Sequence, residues 1–186
     1  MPARKHLFSI EELSFFLKVF FVYGCWKALH AYLWRTTESM YAWQAQLEGY
    51  GGLYATLTCT ILKLLGFPAY AVGTTINITP LHSTWVAEHC LAIPAMFVFG
   101  FSMLLFKGKA KDKAWFIPLG IFAIFLLNLF RLVSLSILMT QLSETTYQVY
   151  HRYVFLVITY GAILWMVFWW MDRVMKEPKE GHYTTQ

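Results

Sequence analysis

Residues 116–139 read FIPLGIFAIFLLNLFRLVSLSILM. About 20 apolar residues suffice to cross a lipid bilayer. Inside this run stands Arg131, the only charged residue between Lys113 and Glu144. An arginine at the centre of a membrane helix costs about 2.5–3.5 kcal/mol even on mild insertion scales. A chain that keeps one turns it toward other helices or a wet cavity, or lets it reach the interface and bond loop carbonyls.

Composition supports the membrane reading. Apolar residues make up 58% of the 186 and charged ones 13%, against about a quarter charged in soluble domains. The chain is therefore expected to be an integral membrane protein. Its net charge of +5 follows from lysines and arginines collecting at cytoplasmic helix ends. It calls for no nucleic-acid partner. Cys25, Cys59 and Cys90 are odd in number and scattered, which gives neither a disulfide framework nor a Cys-x-x-Cys metal site. No cofactor is implied.

Four segments reach spanning length, at roughly 13–34, 85–106, 115–139 and 150–170. A fifth, 51–67, is shorter and carries Thr56, Thr58, Thr60 and Lys63. It is predicted to span, to dip in and return, or to lie in the interface. The fold class expected is an all-α integral membrane bundle of about four full transmembrane helices plus this shorter one. Residues 67–84, with Pro, Gly and β-branched residues, read as an irregular or short-hairpin loop. The chain divides into 1–84 (membrane helix, short second helix, outer loop), 85–173 (a three-helix catalytic-type core) and 174–186 (a cytoplasmic tail).

Positive charge sets the orientation. The loop 107–113 carries four lysines in KGKAKDK and is expected in the cytoplasm, as are the tail MDRVMKEPKE and the N-terminal PARKH. The loop TQLSETTYQ has no lysine or arginine and belongs outside. With the N-terminus inside, a full span at 51–67 would start the 85–106 helix inside, against the lysine loop. An outer re-entrant or interfacial placing of 51–67 resolves this. An outside N-terminus with two early spans is the alternative.

At about 1.5 Å per helical residue, Arg131 lies about 27 Å beyond Lys113. Cys90 lies about 25 Å from Lys107, and His151 about 31 Å from Asp172. A cysteine, an arginine and a histidine on three segments thus reach one outer level. Asn128 and Ser134, three residues either side of Arg131, share its face. Cysteine in an apolar helix is usually core packing, and Cys25 and Cys59 read that way. Cys90 has Glu88 and His89 beside it near a helix start, a setting that lowers a thiol pKa. A thiolate attacks an amide carbonyl, a histidine protonates the leaving amine, and an arginine stabilises the oxyanion or the thiolate. A guanidinium suits this because it stays charged when desolvated.

At these residues the sequence resembles the exosortase/archaeosortase family of multi-span membrane cysteine transpeptidases. The family pattern is a cysteine at the outer start of a helix, Asn-x-x-Arg in the next and a histidine after it. It maps to Cys90, to NLFR with Asn128 and Arg131, and to His151. IPLGIFAIFLLN, with Pro118, is similar to the stretch before the family's arginine. The resemblance covers roughly 85–170. The family commonly has Cys-x-Gly and then an aliphatic residue; here CLAI puts Ala92 at the glycine position. The resemblance implies Cys90, Arg131 and His151 as catalytic, with Asn128, Glu88 and Ser134 supporting. It implies processing of surface proteins at their C-terminal sorting signal, a short motif followed by a membrane helix and a basic tail. A thioester at the extracytoplasmic face of the cell membrane would pass to a lipid or glycan acceptor, or to water. A non-enzymatic assembly factor for exopolysaccharide or surface-protein export is the alternative. A metal hydrolase using His82, Glu88, His89, Cys90 and His151 lacks any dependable ligand spacing. The substrate motif and the oligomeric state are not written in the sequence.

Overall fold

The structure is a computed structural model that describes residues 10–35, 37–79, 82–106 and 108–176. The N-terminal PARKH, Lys107 and the tail from 177 onward fall outside the described residues. Helix α1 (Ile10–Leu33) occupies the first predicted segment. A short turn leads into α2 (Thr37–Leu64), a 28-residue helix.

Helix α2 runs unbroken to Leu64 from well before residue 51, so the dip-and-return expected at 51–67 is absent. Two of the three threonines in this segment bond back to the helix, while the buried Thr58 hydroxyl has no partner among the described residues. Thr56 donates to the Gly52 carbonyl at 2.8 Å and Thr60 to that of Thr56 at 2.9 Å. The helix ends in a Schellman motif. Gly66, at φ +89°, donates to the Lys63 carbonyl, and Phe67 to that of Leu62. Phe67 packs on the core cluster that contains Leu62, the apolar contact that accompanies this motif.

The expected all-α fold is corrected at 70–85, which form a three-stranded antiparallel meander. Strand β1 (Tyr70–Val72) pairs with β2 (Thr75–Thr79), and β2 with β3 (His82–Trp85). The β1–β2 turn has two central residues, with Gly73 at the positive φ of +58° that primed hairpin turns require. Ile76 and Ile78, two apart on one face, are buried in the cluster that includes Tyr54, Ala55 and Leu62 of α2. Gly51 is where α2 meets the sheet. A Cβ there would stand 2.9 Å from the Thr74 methyl.

The span expected at 85–106 is also corrected. Trp85 belongs to β3, residues Glu88–Cys90 form a single 3₁₀ turn, and α3 covers only Ile93–Leu105. Thirteen residues rise about 20 Å, short of the roughly 30 Å hydrocarbon core. Two forces set this start. Val86 N–H is drawn into the sheet by the Thr74 carbonyl at 2.9 Å. Pro94 is tolerated in a helix only near its first turn, where its missing N–H is no loss.

Helix α4 (Ala110–Gln141) is 32 residues long. Helix α5 (Glu144–Val149) continues through a π-helical turn (Tyr150–Val154) into α6 (Phe155–Lys176). Where four full spans were expected, two helical stretches among the described residues have the length and hydropathy to cross a membrane. They are Ala110–Gln141 and Thr145–Arg173.

Two clusters make the core. At the lysine-loop end, Phe99 and Met103 of α3 pack with Phe116 and Ile124 of α4 and Val167 and Trp170 of α6. Phe116 stacks on Trp170 with ring centroids 4.4 Å apart. Lys113 closes this end by donating to the Leu104 and Phe106 carbonyls at the C-terminus of α3, where a cation complements the helix dipole. At the other end, the second cluster joins α2, the sheet, Cys90, Leu91 and the Leu129–Val133 stretch of α4.

Candidate active site

Cys90 closes the 3₁₀ turn between β3 and α3, outside the two spanning helices. It is buried, at 5% exposure. Its amide donates to the Ala87 carbonyl at 2.8 Å. Its carbonyl accepts a hydrogen bond from Asn128 Nδ2 at 2.6 Å. Asn128 is itself buried, so its amide is committed to this one turn. The shared level predicted for Cys90 and the Asn128–Arg131 face is therefore realised as contact.

Arg131 lies one turn along α4 from Asn128. Burial pushes the Cys90 thiol above its ordinary pKa, and the Arg131 charge acts against that rise. The Nε of Arg131 is buried and has no hydrogen-bond partner among the described residues. A charged donor enclosed beside a thiol, with an N–H left unspent, can receive an oxyanion without first breaking another bond. Ser134 follows one turn further along the same helix, half-buried.

Glu88 is placed differently from a direct partner of the thiol. Its carboxylate meets His30 Nε2 of α1 at 2.7 Å, with both side chains about one-third exposed. The pair ties the C-terminal end of α1 to the turn that carries Cys90. His30 was not singled out by sequence reasoning. A histidine near the end of an apolar helix carries no local signal, and its partner is 58 residues away. Trp34 Nε1 also approaches His30 Nε2, at 3.1 Å. Tyr54 is a second residue that sequence reading missed. It is fully buried on α2, its ring lies tilted against Phe125 with centroids 4.9 Å apart, and its hydroxyl comes within electrostatic reach of Asn128.

His151 lies in the π-turn, half-buried, with its ring stacked on Tyr147 at 6.0 Å. A π-helical turn inserts one residue into a helix and redirects side chains, and such turns recur at functional sites. The His89 side chain lies outside the described residues. Among the described residues no three His, Cys, Asp or Glu side chains converge on a common point suited to a metal.

Ala92 has φ +55° and ψ +14°, the left-handed conformation, where it serves as N-cap of α3. A residue with a Cβ pays about 1–2 kcal/mol to be there, and glycine does not. The structure thus gives a backbone reason for glycine two residues after the cysteine: the chain must reverse hand between the 3₁₀ turn and α3.

A buried thiol near a half-buried arginine, on a turn held by an asparagine from a membrane-length helix, is an arrangement within a membrane protein. The family model for transmembrane exosortases matches residues 39–171. The chain belongs to the exosortase family of membrane proteins involved in the processing of C-terminal sorting signals. The match takes in α2 and the sheet as well as the three elements that carry the motifs. Neither the curated proteins nor the solved structures give a match.

Proposed function

We propose that this chain is a cysteine transpeptidase or protease that cleaves the C-terminal sorting signal of surface proteins at the extracytoplasmic face of the cell membrane. The observation that carries this reading is the unspent, buried Nε of Arg131 beside the Cys90 thiol.

In the proposed cycle the Cys90 thiol passes its proton to His151. The thiolate attacks the carbonyl carbon of the scissile peptide bond. The oxyanion that forms is held by the Arg131 guanidinium. The tetrahedral intermediate collapses, the C–N bond breaks, and the leaving amine takes the proton from His151. The new N-terminal product remains as a thioester on Cys90. A hydroxyl of a lipid or glycan acceptor, or water, then attacks it and gives its proton to His151. Cys90 departs as thiolate and is reprotonated. Asn128 holds the turn through the Cys90 carbonyl, and Glu88, engaged by His30, holds it from the α1 side. Ser134 extends the polar face of α4 beyond Arg131. The two-span helices provide the membrane anchorage, with the lysine loop cytoplasmic. The core at 85–173 supplies the chemistry, and the first 84 residues cover it.

The test is a C-terminal proteomic comparison of the host carrying the native protein with one carrying Cys90→Ala, at equal membrane levels. The expected outcome is a set of surface proteins that keep their C-terminal helix and basic tail only in the variant. Identical C-termini in both hosts would remove Cys90 as nucleophile and leave a non-enzymatic export or assembly role.

A further inference from the structure

We infer that the outer edge of β3 is a strand-addition site, where an extended substrate segment pairs with Ser83 and Trp85 so that its scissile carbonyl reaches Cys90. The inference rests on the proposed function and adds how the substrate is held.

The register decides which backbone groups are available. The two-residue turn makes Val72 and Thr75 a hydrogen-bonded pair, so Thr75 and Asn77 direct their backbone groups toward β1. Antiparallel alternation then directs Ile76 toward β3, where it pairs with Thr84. The hydrogen bond from Val86 to the Thr74 carbonyl, in the same register, gives the same phase independently. Ser83 and Trp85 therefore direct their N–H and C=O groups away from β2. Among the described residues no other strand pairs with β3. The Trp85 carbonyl is taken by Ala87 N–H at 3.1 Å. Among the described residues nothing uses the Ser83 N–H, the Ser83 C=O or the Trp85 N–H.

Proteins blunt exposed edges with lysine, proline, bulges or a covering element, because such edges recruit other strands. Strand β3 contains neither lysine nor proline. The sheet's irregularity lies opposite, on β2 between Asn77 and Thr79. Ser83 and Trp85 are exposed, Trp85 at 68%. On the other face Thr84 is anchored to α4, its hydroxyl 3.1 Å from the Met139 sulfur. The edge is thus fixed in place and, among the described residues, left unpaired.

Its position selects the occupant. The open groups end five residues before Cys90, and the chain between them is pinned by the Val86 and Cys90 amides. The short pinned chain from Trp85 to Cys90 keeps the edge and the turn that carries the thiol close together. Backbone pairing needs no particular side chains, which suits an enzyme whose substrates share only a short motif before a membrane helix.

The experiment uses the full chain in its host membrane. Ser83→Pro removes the outward N–H, and proline is accepted on a strand edge where that N–H faces away from the sheet. Processing of the proteins identified with Cys90→Ala should fall about tenfold or more, with the protein at native membrane level. Labelling of Cys90 by N-ethylmaleimide, in a Cys25→Ser/Cys59→Ala background, should stay within about twofold, which shows the turn intact. A photoreactive p-benzoylphenylalanine in place of Ser83, combined with Cys90→Ala, should crosslink to the same unprocessed proteins. Native processing by Ser83→Pro, or crosslinks only to lipid or to a second copy of this chain, would overturn the edge inference while the catalytic reading stands. If Cys90→Ala leaves every C-terminus unchanged, the catalytic reading fails and the inference falls with it.

Discussion

The two ends of this bundle are built on different principles. At the lysine-loop end, Phe99, Met103, Phe116, Ile124, Val167 and Trp170 pack carbon against carbon, and the α3 terminus is capped by Lys113. At the Cys90 end, the core mixes apolar side chains with buried Asn128, Thr58 and Ser136, an unspent Arg131 Nε and a left-handed alanine. Membrane helices gain little from moving an apolar group out of lipid, so shape complementarity must hold the first end. Buried polar groups and strain persist only where the surroundings over-determine them, and they gather at functional sites. Under the proposed function, the first end supplies stability and the second the chemistry.

The largest effect is expected at Arg131. Lysine keeps the charge but lacks the planar fork. Arg131→Lys is expected to lower processing by about 100-fold or more, the size of losing one oxyanion donor, with little change in membrane level. Native processing by this variant would take Arg131 out of the chemistry.

Next come two substitutions at opposite ends with similar expected penalties and different consequences. Gly120→Ala puts a Cβ inside the van der Waals shell of the buried Phe99 ring, and overpacking of this kind costs about 1–3 kcal/mol. Thermal unfolding in detergent should register the loss, while processing per folded molecule stays native. Asn128→Leu leaves the buried Cys90 carbonyl without its donor, which costs about 1–3 kcal/mol. Here processing per folded molecule should fall as well, because the turn loses its tie to α4. Equal effects of the two variants on specific activity would erase the distinction between the ends.

A smaller effect is expected in the pH profile of Cys90 labelling. Burial raises the thiol pKa and Arg131 opposes the rise. Arg131→Gln removes the opposing charge, so the midpoint for maleimide labelling should move to higher pH. A shift to lower pH, or none, would mean that Arg131 does not act on the thiol.

The smallest effect is expected at Ala92. Ala92→Gly should raise stability by about 1 kcal/mol, because glycine holds φ +55° without a Cβ penalty. A loss of stability on unfolding in detergent would show that the alanine methyl contributes more by packing than it costs in strain.

Several of these features were legible along the chain. The long apolar runs of α4 and α6 declare membrane-length helices, because desolvation is summed over consecutive residues. The i, i+3 spacing of Asn128 and Arg131 put both on one face, and a height argument brought them to Cys90, as the Asn128 hydrogen bond bears out. The turn residues of 67–84 hinted at a hairpin. The third strand did not declare itself, and its pairing pulled Trp85 and Val86 out of the helix expected there. The length of α2 was hidden by polar residues that look like an interruption until the Thr56 and Thr60 hydroxyls are seen bonding back to the helix.

From the sequence alone came a membrane protein of the exosortase family, its long apolar helices and the shared face of Asn128 and Arg131, because hydropathy and helical periodicity are local sums. Only the tertiary structure decided that α3 is short, that a sheet leads into the cysteine, that His30 holds Glu88, and that Ala92 takes a left-handed turn. Each of these depends on partners brought together by folding, and neither a residue's type nor its near neighbours record which distant group it will meet.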